Sequence, residues 1–328
     1  MFKTFKNKTL LITGGTGSFG RAFANFISNK KFNLKKIIIF SRDELKQYEM
    51  KKNFNDQDMK KLRFFIGDVR DKSRLVRAFE DVDYVVHAAA LKQVDTAEYN
   101  PSEYIKTNII GAENIIEASL KNNVEKVIAL STDKATAPVN LYGATKLCSD
   151  KLFSSANNIV GRRKLKFSIV RYGNVMSSRG SVIPFFQSLN KSEHYPVTHK
   201  KMTRFNITLV DSIKMVITAI IKCKGGEIFI PKMKSYRILD LVKAINDRAK
   251  IKIIGIRPGE KIDEELITKN DSYNAFDIGN YYVIANPAIK KVYNYYKNYK
   301  KFKEGTSYNS LVNKDYLSVG QLKKILKH

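Results

Sequence analysis

The chain has 328 residues, 43% of them hydrophobic and 27% charged, and its 59 Lys and Arg against 31 Asp and Glu give a formal net charge of +28. That length buries a sizeable core in one large or two intimate domains, and no apolar run nears the ~20 residues that cross a bilayer, so stable membrane insertion is not expected. The basic residues are spread along the chain and are mostly lysine beside abundant asparagine, which reads as compositional bias and not as a nucleic-acid face, although a positive field helps gather an anionic nucleotide.

Cys148, Cys223 and the four histidines lack metal-ligand spacing. Free thiols in a reducing compartment, the cytoplasm, are therefore expected, with no metal site. The apolar run Thr9–Thr13 predicts a first strand, and the basic stretch before it reads as the approach to that strand and not as a signal peptide. Gly14-Gly15-Thr16-Gly17-Ser18-Phe19-Gly20 follows, and then the helical pattern RAFANFISN. Gly14 permits the tight turn, Gly17 lets backbone approach a pyrophosphate, and Gly20 lets helix pack on strand. In this strand–turn–helix context the loop, with Thr16, Ser18 and Phe19, predicts a dinucleotide site.

The second strand, Lys36–Phe40, ends in Ser41, Arg42 and Asp43, with Lys46 one turn into the next helix. A hydroxyl and cations at that place suit a 2′-phosphate and favour NADP, while Asp43 keeps NAD open. Arg63–Gly67 reads as strand three, leading to the acidic corner Asp68-Val69-Arg70-Asp71, which either edges an adenine pocket or caps the next helix. Val82–His87 reads as strand four, and the small residues Ala88 and Ala89 after it admit a close cofactor. Lys92 faces either a substrate phosphate or solvent. A helix is expected over Asn108–Leu120 and a fifth strand over Lys126–Leu130.

That strand delivers Ser131, Thr132, Asp133 and Lys134 to its carboxyl end, where open α/β sheets bind ligands. Tyr142 and Lys146 then stand four residues apart, one helical turn on one face. A lysine beside a tyrosine favours the phenolate, which can act as a base. Phe167–Arg171 reads as strand six; beyond it come a helix around Val210–Ile221, a strand over Gly225–Ile230, a helix over Arg237–Arg248, the segment Ile256–Lys261 and a Tyr/Lys-rich tail.

Strands alternating with helices indicate an α/β fold with a Rossmann-type doubly wound parallel sheet and a smaller, interleaved C-terminal substrate domain. The expected division gives 1–175, with 206–232, to the cofactor, and 176–205 with 233–328 to the substrate.

With Thr-Gly-x-x-Gly-x-x-Gly, Ser-Thr-Asp-Lys and Tyr-x-x-x-Lys in this order, the chain resembles extended short-chain dehydrogenases/reductases acting on nucleotide sugars. SRDELKQYEM, HAAALKQV, LSTDKATAPVNLYGATKLCSDKLF, VRYGNVMSSRGSVIPFF, MTRF and RPGEK narrow the resemblance to the inverting UDP-N-acetylglucosamine 4,6-dehydratases of pseudaminic acid biosynthesis, along nearly the whole chain.

The resemblance implies a scheme in which NADP⁺ oxidises C4 while Tyr142, supported by Lys146, removes the hydroxyl proton. Neutral Lys134 then takes the C5 proton, Asp133 protonates the departing C6 hydroxyl, and Thr132 or Ser131 holds the C4 oxygen. It also implies that Asn174, Arg179, Ser181, Arg204, Arg257 and Glu260, with Lys92, hold the UDP-sugar, and that the protein is a homo-oligomer, dimer-based and up to a hexamer. Ser177, His199, Lys201 and Asp263 depart from the family pattern and bear on substrate detail. A UDP-sugar 4-epimerase or a retaining dehydratase is the alternative; an NADP-binding regulatory protein and a nucleic-acid binder fit less well, since Tyr142 and Lys146 are both present.

Overall fold

The computed structural model describes residues 2–176, 181–189 and 194–326. Strands β1 (Thr9–Thr13), β2 (Lys36–Ser41), β3 (Leu62–Ile66), β4 (Tyr84–His87), β5 (Lys126–Thr132) and β6 (Lys166–Tyr172) run parallel in the spatial order β3-β2-β1-β4-β5-β6. Their sequences are near-continuous apolar runs because both faces are covered. Alternation divides them: Leu10, Ile12, Ile37 and Ile39 pack into one apolar layer, while Leu11, Ile38, Val85 and Val127 pack into the other. The strand order reverses between β1 and β4, so their carboxyl ends diverge and open a crevice.

Next come β7 (Asn174–Val175), β8 (His194–Val197), β9 (Thr203–Ile207) and β10 (Ile228–Pro231), and then β11 (Lys234–Arg237), β12 (Lys250–Ile253), β13 (Glu265–Ile267), β14 (Ala275–Asp277), β15 (Tyr281–Ile284), β16 (Lys300–Lys301) and β17 (Tyr308–Asn309). β10 adds to β6 in parallel, and β15, β14 and β16 continue the sheet antiparallel to ten strands. A small sheet, β11-β9-β7, sits over the carboxyl ends of the central strands and carries Asn174 and Arg204. Its apolar support is a separate cluster with Tyr195, Met202, Tyr236, Leu241 and Leu322 at its centre. Among the described residues no helix is long and apolar enough to cross a membrane.

Several elements differ from the sequence-based expectation for identifiable reasons. β10 begins at Ile228 and not at Gly225, because Gly225 and Gly226 take φ of +117° and +87° and form a turn, with the buried Glu227 carboxylate accepting from the Gly225 and Lys224 amides. The helix expected from Asn108 is regular only over Gly111–Lys121; a π-helical turn, Ile105–Ile110, precedes it. In the tyrosine-rich tail, the helix Lys290–Tyr296 packs back on the sheet, and the buried Tyr296 hydroxyl donates to Glu227 Oε1 at 3.2 Å.

The helix Leu141–Ser155 lies against the turn that follows β5. Asn140 caps it, accepting from the Gly143 amide at 2.8 Å. Gly143 is needed there: a Cβ would run into the Lys134 carbonyl oxygen and also reach Pro138. Gly143→Ala is therefore expected to cost ~1–3 kcal/mol by overpacking. Gly320→Ala, whose Cβ would meet only Ser318 Oγ at 4.0 Å, leaves stability unchanged or raises it. Thermal unfolding of the two variants beside the parent chain checks the opposite signs.

Candidate active site

One cavity of about 1730 Å³ runs from the glycine loop after β1 to the 257–261 loop. Pockets for single ligands are typically ~300–1,000 Å³, so this one has room for a dinucleotide and a nucleotide sugar together. Every residue assigned from sequence to the cofactor lines it, as do Thr132, Lys134, Lys92, Asn174, Ser181, Arg204, Arg257 and Glu260. Asp133 lies behind the wall, fully buried. Arg179 and Ser177 lie outside the described residues.

The glycine loop fits a dinucleotide on its own geometry. Gly14 has φ +64°, and a Cβ there would press on the Ala89 backbone at 2.9 Å, so the turn abuts the strand-four exit. Gly17 stands at the N-cap of the helix Ser18–Ser28 with no side-chain cap, leaving the first-turn amides to an anion. Gly20 packs on Gly15 within the turn itself, where the sequence pattern implied contact with the strand.

Further along, Ser41 Oγ accepts from Gln47 Nε2 at 3.0 Å, and Asp43 is occupied as the cap of the helix Glu44–Lys51, accepting from the Lys46 amide at 2.9 Å and Nζ at 2.6 Å. The half-exposed Arg42 lies 3.6 Å from Asp68 Oδ2. Burial opposes ionisation of Asp68, but hydrogen bonds and charge from Arg70, with Arg42 behind, hold its carboxyl below the usual range. Of the two readings of this corner, the capping role belongs to Asp71, which accepts from the Arg74 amide at 2.9 Å.

The half of the cavity that holds the residues expected to be catalytic is built on the turn after β5. Lys146 Nζ donates to the Leu130 carbonyl at 2.8 Å; burial pushes this amine down, with Asp150 opposing. Burial also pushes the Tyr142 phenol up, to about 12, and the cation that most favours its phenolate is Lys134, helped by a hydrogen bond with Thr132. The sequence argument had assigned that support to Lys146.

Asp133 Oδ1 accepts from Thr132 Oγ1 at 2.9 Å and from Lys134 Nζ at 3.0 Å, while Oδ2 has no partner. Gly173 leaves space for that oxygen: a Cβ there would stand 3.2 Å from it. Lys134 Nζ also lies 3.4 Å from Asn174 Oδ1 and 3.4 Å from Glu264 Oε1. Burial disfavours its charge, but Asp133 and Glu264 outweigh burial and hold the amine protonated well above the ordinary range. Two carboxylates, Asp133 and Glu264, thus enclose the amine that the resemblance makes the C5 base once it is neutral.

At the far end, Arg204 is largely engaged by the protein. Its Nη1 donates to the Thr203 and Ile262 carbonyls at 2.8 and 3.0 Å, its Nη2 is 3.5 Å from Glu260 and its Nε is 3.5 Å from Glu264. The more exposed Arg257 pairs with Glu260 at 3.3 Å. Ser181 Oγ is buried without a partner. Of the departures from the family pattern, Asp263 accepts from Asn309 Nδ2, and His199 Nδ1 accepts from the Lys201 amide at 3.2 Å.

Three site residues escaped the sequence reading. Asn108, on the π-helical turn, bonds the Leu91 amide and carbonyl and Thr145 Oγ1, tying the strand-four exit to the Tyr142 helix. Asn140 was readable as a helix cap, and it also donates to the Gly259 carbonyl at 2.8 Å. Glu264, one of a run of acidic residues, is distinguished only by its burial.

Residues 10–286 match the family described as Polysaccharide biosynthesis protein. A UDP-N-acetylglucosamine 4,6-dehydratase (inverting) of Campylobacter jejuni subsp. jejuni is 51% identical over 335 residues, covering 99% of this chain and 98% of its own. A UDP-glucose 4-epimerase of Rickettsia bellii is 47% identical over 85% of this chain and 83% of its own. Among solved structures, Pen from Bacillus thuringiensis is 37% identical and superposes with a TM-score of 0.89 over 100% of this chain and 99% of its own. Glycine loop, Tyr142–Lys146 helix and these matches agree: the chain belongs to the polysaccharide biosynthesis family of extended short-chain dehydrogenases/reductases.

Proposed function

We propose that the protein is an NADP-dependent, inverting UDP-N-acetylglucosamine 4,6-dehydratase that forms a UDP-2-acetamido-2,6-dideoxy-4-keto-hexose, the opening step of pseudaminic acid biosynthesis. The observation that carries this reading is the buried Asp133–Lys134 pair beside Tyr142. Oxidation or epimerisation at C4 needs only one acid/base group there, whereas elimination across C5 and C6 needs a base and an acid more. A UDP-sugar 4-epimerase is the second reading, favoured by the name of the Rickettsia relative; a retaining dehydratase is the third.

A bound nicotinamide supplies an acceptor, and later a donor, of hydride at sugar carbon. Everything else falls to the chain. Tyr142 takes the C4 hydroxyl proton, with Lys134 and Thr132 favouring the phenolate. Thr132 is the hydroxyl for the C4 oxygen, because it is the one in hydrogen-bond contact with Tyr142, whereas Ser131 Oγ is turned to Asp150 Oδ2 at 2.7 Å. Once C4 is a carbonyl, the C5 proton is acidified. Lys134 removes it after passing its own proton to Asp133 along their hydrogen bond, and Asp133 then gives that proton up to the departing C6 oxygen, which leaves as water. Return of a proton to C5 on the opposite face inverts that centre.

For the UDP moiety, Arg257, Glu260, Asn174, Ser181 and Lys92 are the binding groups, Arg179 is assigned from the family pattern alone, and Arg204 acts by holding the loop that carries Arg257 and Glu260. NADP is favoured over NAD because Asp43 is spent on a helix cap while Arg42 stands half-exposed in the cavity wall. Residues 1–175 with 206–232 are assigned to the cofactor, and 176–205 with 233–328 to the nucleotide sugar. A homo-oligomer follows from the family resemblance, and a cytoplasmic setting from two unpaired cysteines and a nucleotide-sugar substrate.

Tyr142→Phe is expected to lower the rate of water loss from UDP-N-acetylglucosamine by ~10²–10⁴-fold, the usual worth of a positioned acid/base group. Mass spectrometry of the sugar product measures it, and a variant within a few fold of the parent removes Tyr142 from the reaction. Arg42→Ala is expected to erase most of the preference for NADP over NAD. Titration of both cofactors checks this, and an undiminished preference places the 2′-phosphate elsewhere.

A further inference from the structure

The 257–264 loop does more than offer groups to a diphosphate. Its last residue, Glu264, turns away from solvent and is buried at the floor of the cavity, where Oε1 lies 3.4 Å from Lys134 Nζ and 3.5 Å from Arg204 Nε. Oε2 makes no hydrogen bond, and the Glu264 amide is anchored by donating to Ser310 Oγ at 2.9 Å. Asp133 stands on the other side of the same ammonium with its own unpartnered oxygen. A carboxylate in such surroundings is costly unless it has a charge to hold.

We propose that Glu264 is a positioning residue for the reaction: with Asp133 it encloses the Lys134 ammonium, aims it past Asn174 into the cavity, and sets the pH at which Lys134 gives up its proton. As a statement about the reaction it rests on the dehydratase reading; as a statement about Lys134 it does not. The acid/base unit is then Asp133–Lys134–Glu264, drawn from a strand end and from a loop 130 residues away in sequence.

Other charged or titratable groups face this unit from the elements around it. Arg204 and Lys92 oppose the charge on Lys134, Lys261 and Arg204 favour the carboxylate of Glu264, and Tyr142 and Tyr236 border Lys134 and Asp133. Burial and Asp133 push the Glu264 carboxyl up, with Lys134, Arg204 and Lys261 opposing. The sign for Lys134 follows: loss of the Glu264 charge makes its ammonium easier to deprotonate.

The test is competitive labelling of the intact protein with acetic anhydride across pH, with Lys134 quantified by peptide mass spectrometry and Lys146 as internal reference. Below its pKa an amine labels in proportion to its neutral fraction, so each unit of downward shift raises the rate about tenfold. Glu264→Gln is expected to speed Lys134 labelling at least ~3-fold at a fixed pH relative to Lys146, and Glu264→Asp, which keeps the charge, to stay near the parent rate. Equal labelling in the parent and the Gln variant overturns the proposal, and so does an Asp variant that exposes Lys134 as much as Gln.

Deuterium wash-in at C5 of the 6-deoxy-4-keto product formed from UDP-N-acetylglucosamine in D₂O is followed separately. The Gln variant is expected to move its pH profile to lower pH, and an unmoved profile also counts against the proposal. Absence of wash-in in the parent chain retires the dehydratase reading, while the labelling result still decides the role of Glu264.

Discussion

An ammonium enclosed by two buried carboxylates is the interaction on which the arrangement of this site depends. Lys134 sits between Asp133 at 3.0 Å and Glu264 at 3.4 Å, both almost wholly excluded from water. Burying such charges costs several kcal/mol per ion, and removing one partner of a buried pair typically costs ~3–5 kcal/mol because the other charge is left uncompensated. The three groups therefore hold one another, and the two chain segments that carry them are held together in consequence. The 257–264 loop reinforces this contact: Lys261 donates to the Thr136 carbonyl, Gly259 accepts from Asn140, and Arg204 spans Glu260 and Glu264. On the proposed function, the loop that would hold the nucleotide end of the substrate is the same loop that brings Glu264 to Lys134.

The Tyr142 helix is fixed by a parallel set of constraints. Asn140 caps it, Gly143 lets it touch the Lys134 carbonyl, and Asn108 ties Thr145 to the exit of β4. One turn beyond Lys146, Asp150 accepts from Ser131 and Arg171 at 2.7 and 3.1 Å, and Arg171 donates to the Leu266 carbonyl at 3.2 Å. Lys146 is consequently held with its amine on the Leu130 carbonyl while burial lowers its affinity for a proton. The electrostatic balance around Tyr142 therefore belongs to the whole pocket and not to a Tyr/Lys pair alone.

Much of this was legible in the residues because local chemistry dictates it. Apolar runs five or six residues long that end in turn residues read as doubly covered strands, and glycines at 14, 17 and 20 after such a strand have one common use. Tyr142 and Lys146 share a face by helical spacing alone. What escaped depends on contacts distant in sequence. The second carboxylate against Lys134 is Glu264, 130 residues later, and no periodicity marks that glutamate among its acidic neighbours. The occupation of Asp43 by a helix cap and of Arg204 by main-chain carbonyls likewise emerges only when the chain is folded. Gly225 and Gly226 shortened a predicted strand because an apolar run does not reveal which of its flanking glycines will turn.

The central claim is that the Asp133–Lys134–Glu264 group serves elimination across C5 and C6 and not simple exchange at C4. The measurement that tests it most directly is an NMR time course of the purified protein with UDP-N-acetylglucosamine and NADP⁺ in D₂O. A 6-deoxy-4-keto sugar with inverted C5 and deuterium at that carbon is the predicted result. A C4 epimer that keeps its C6 hydroxyl and carries no deuterium at C5 would contradict the account.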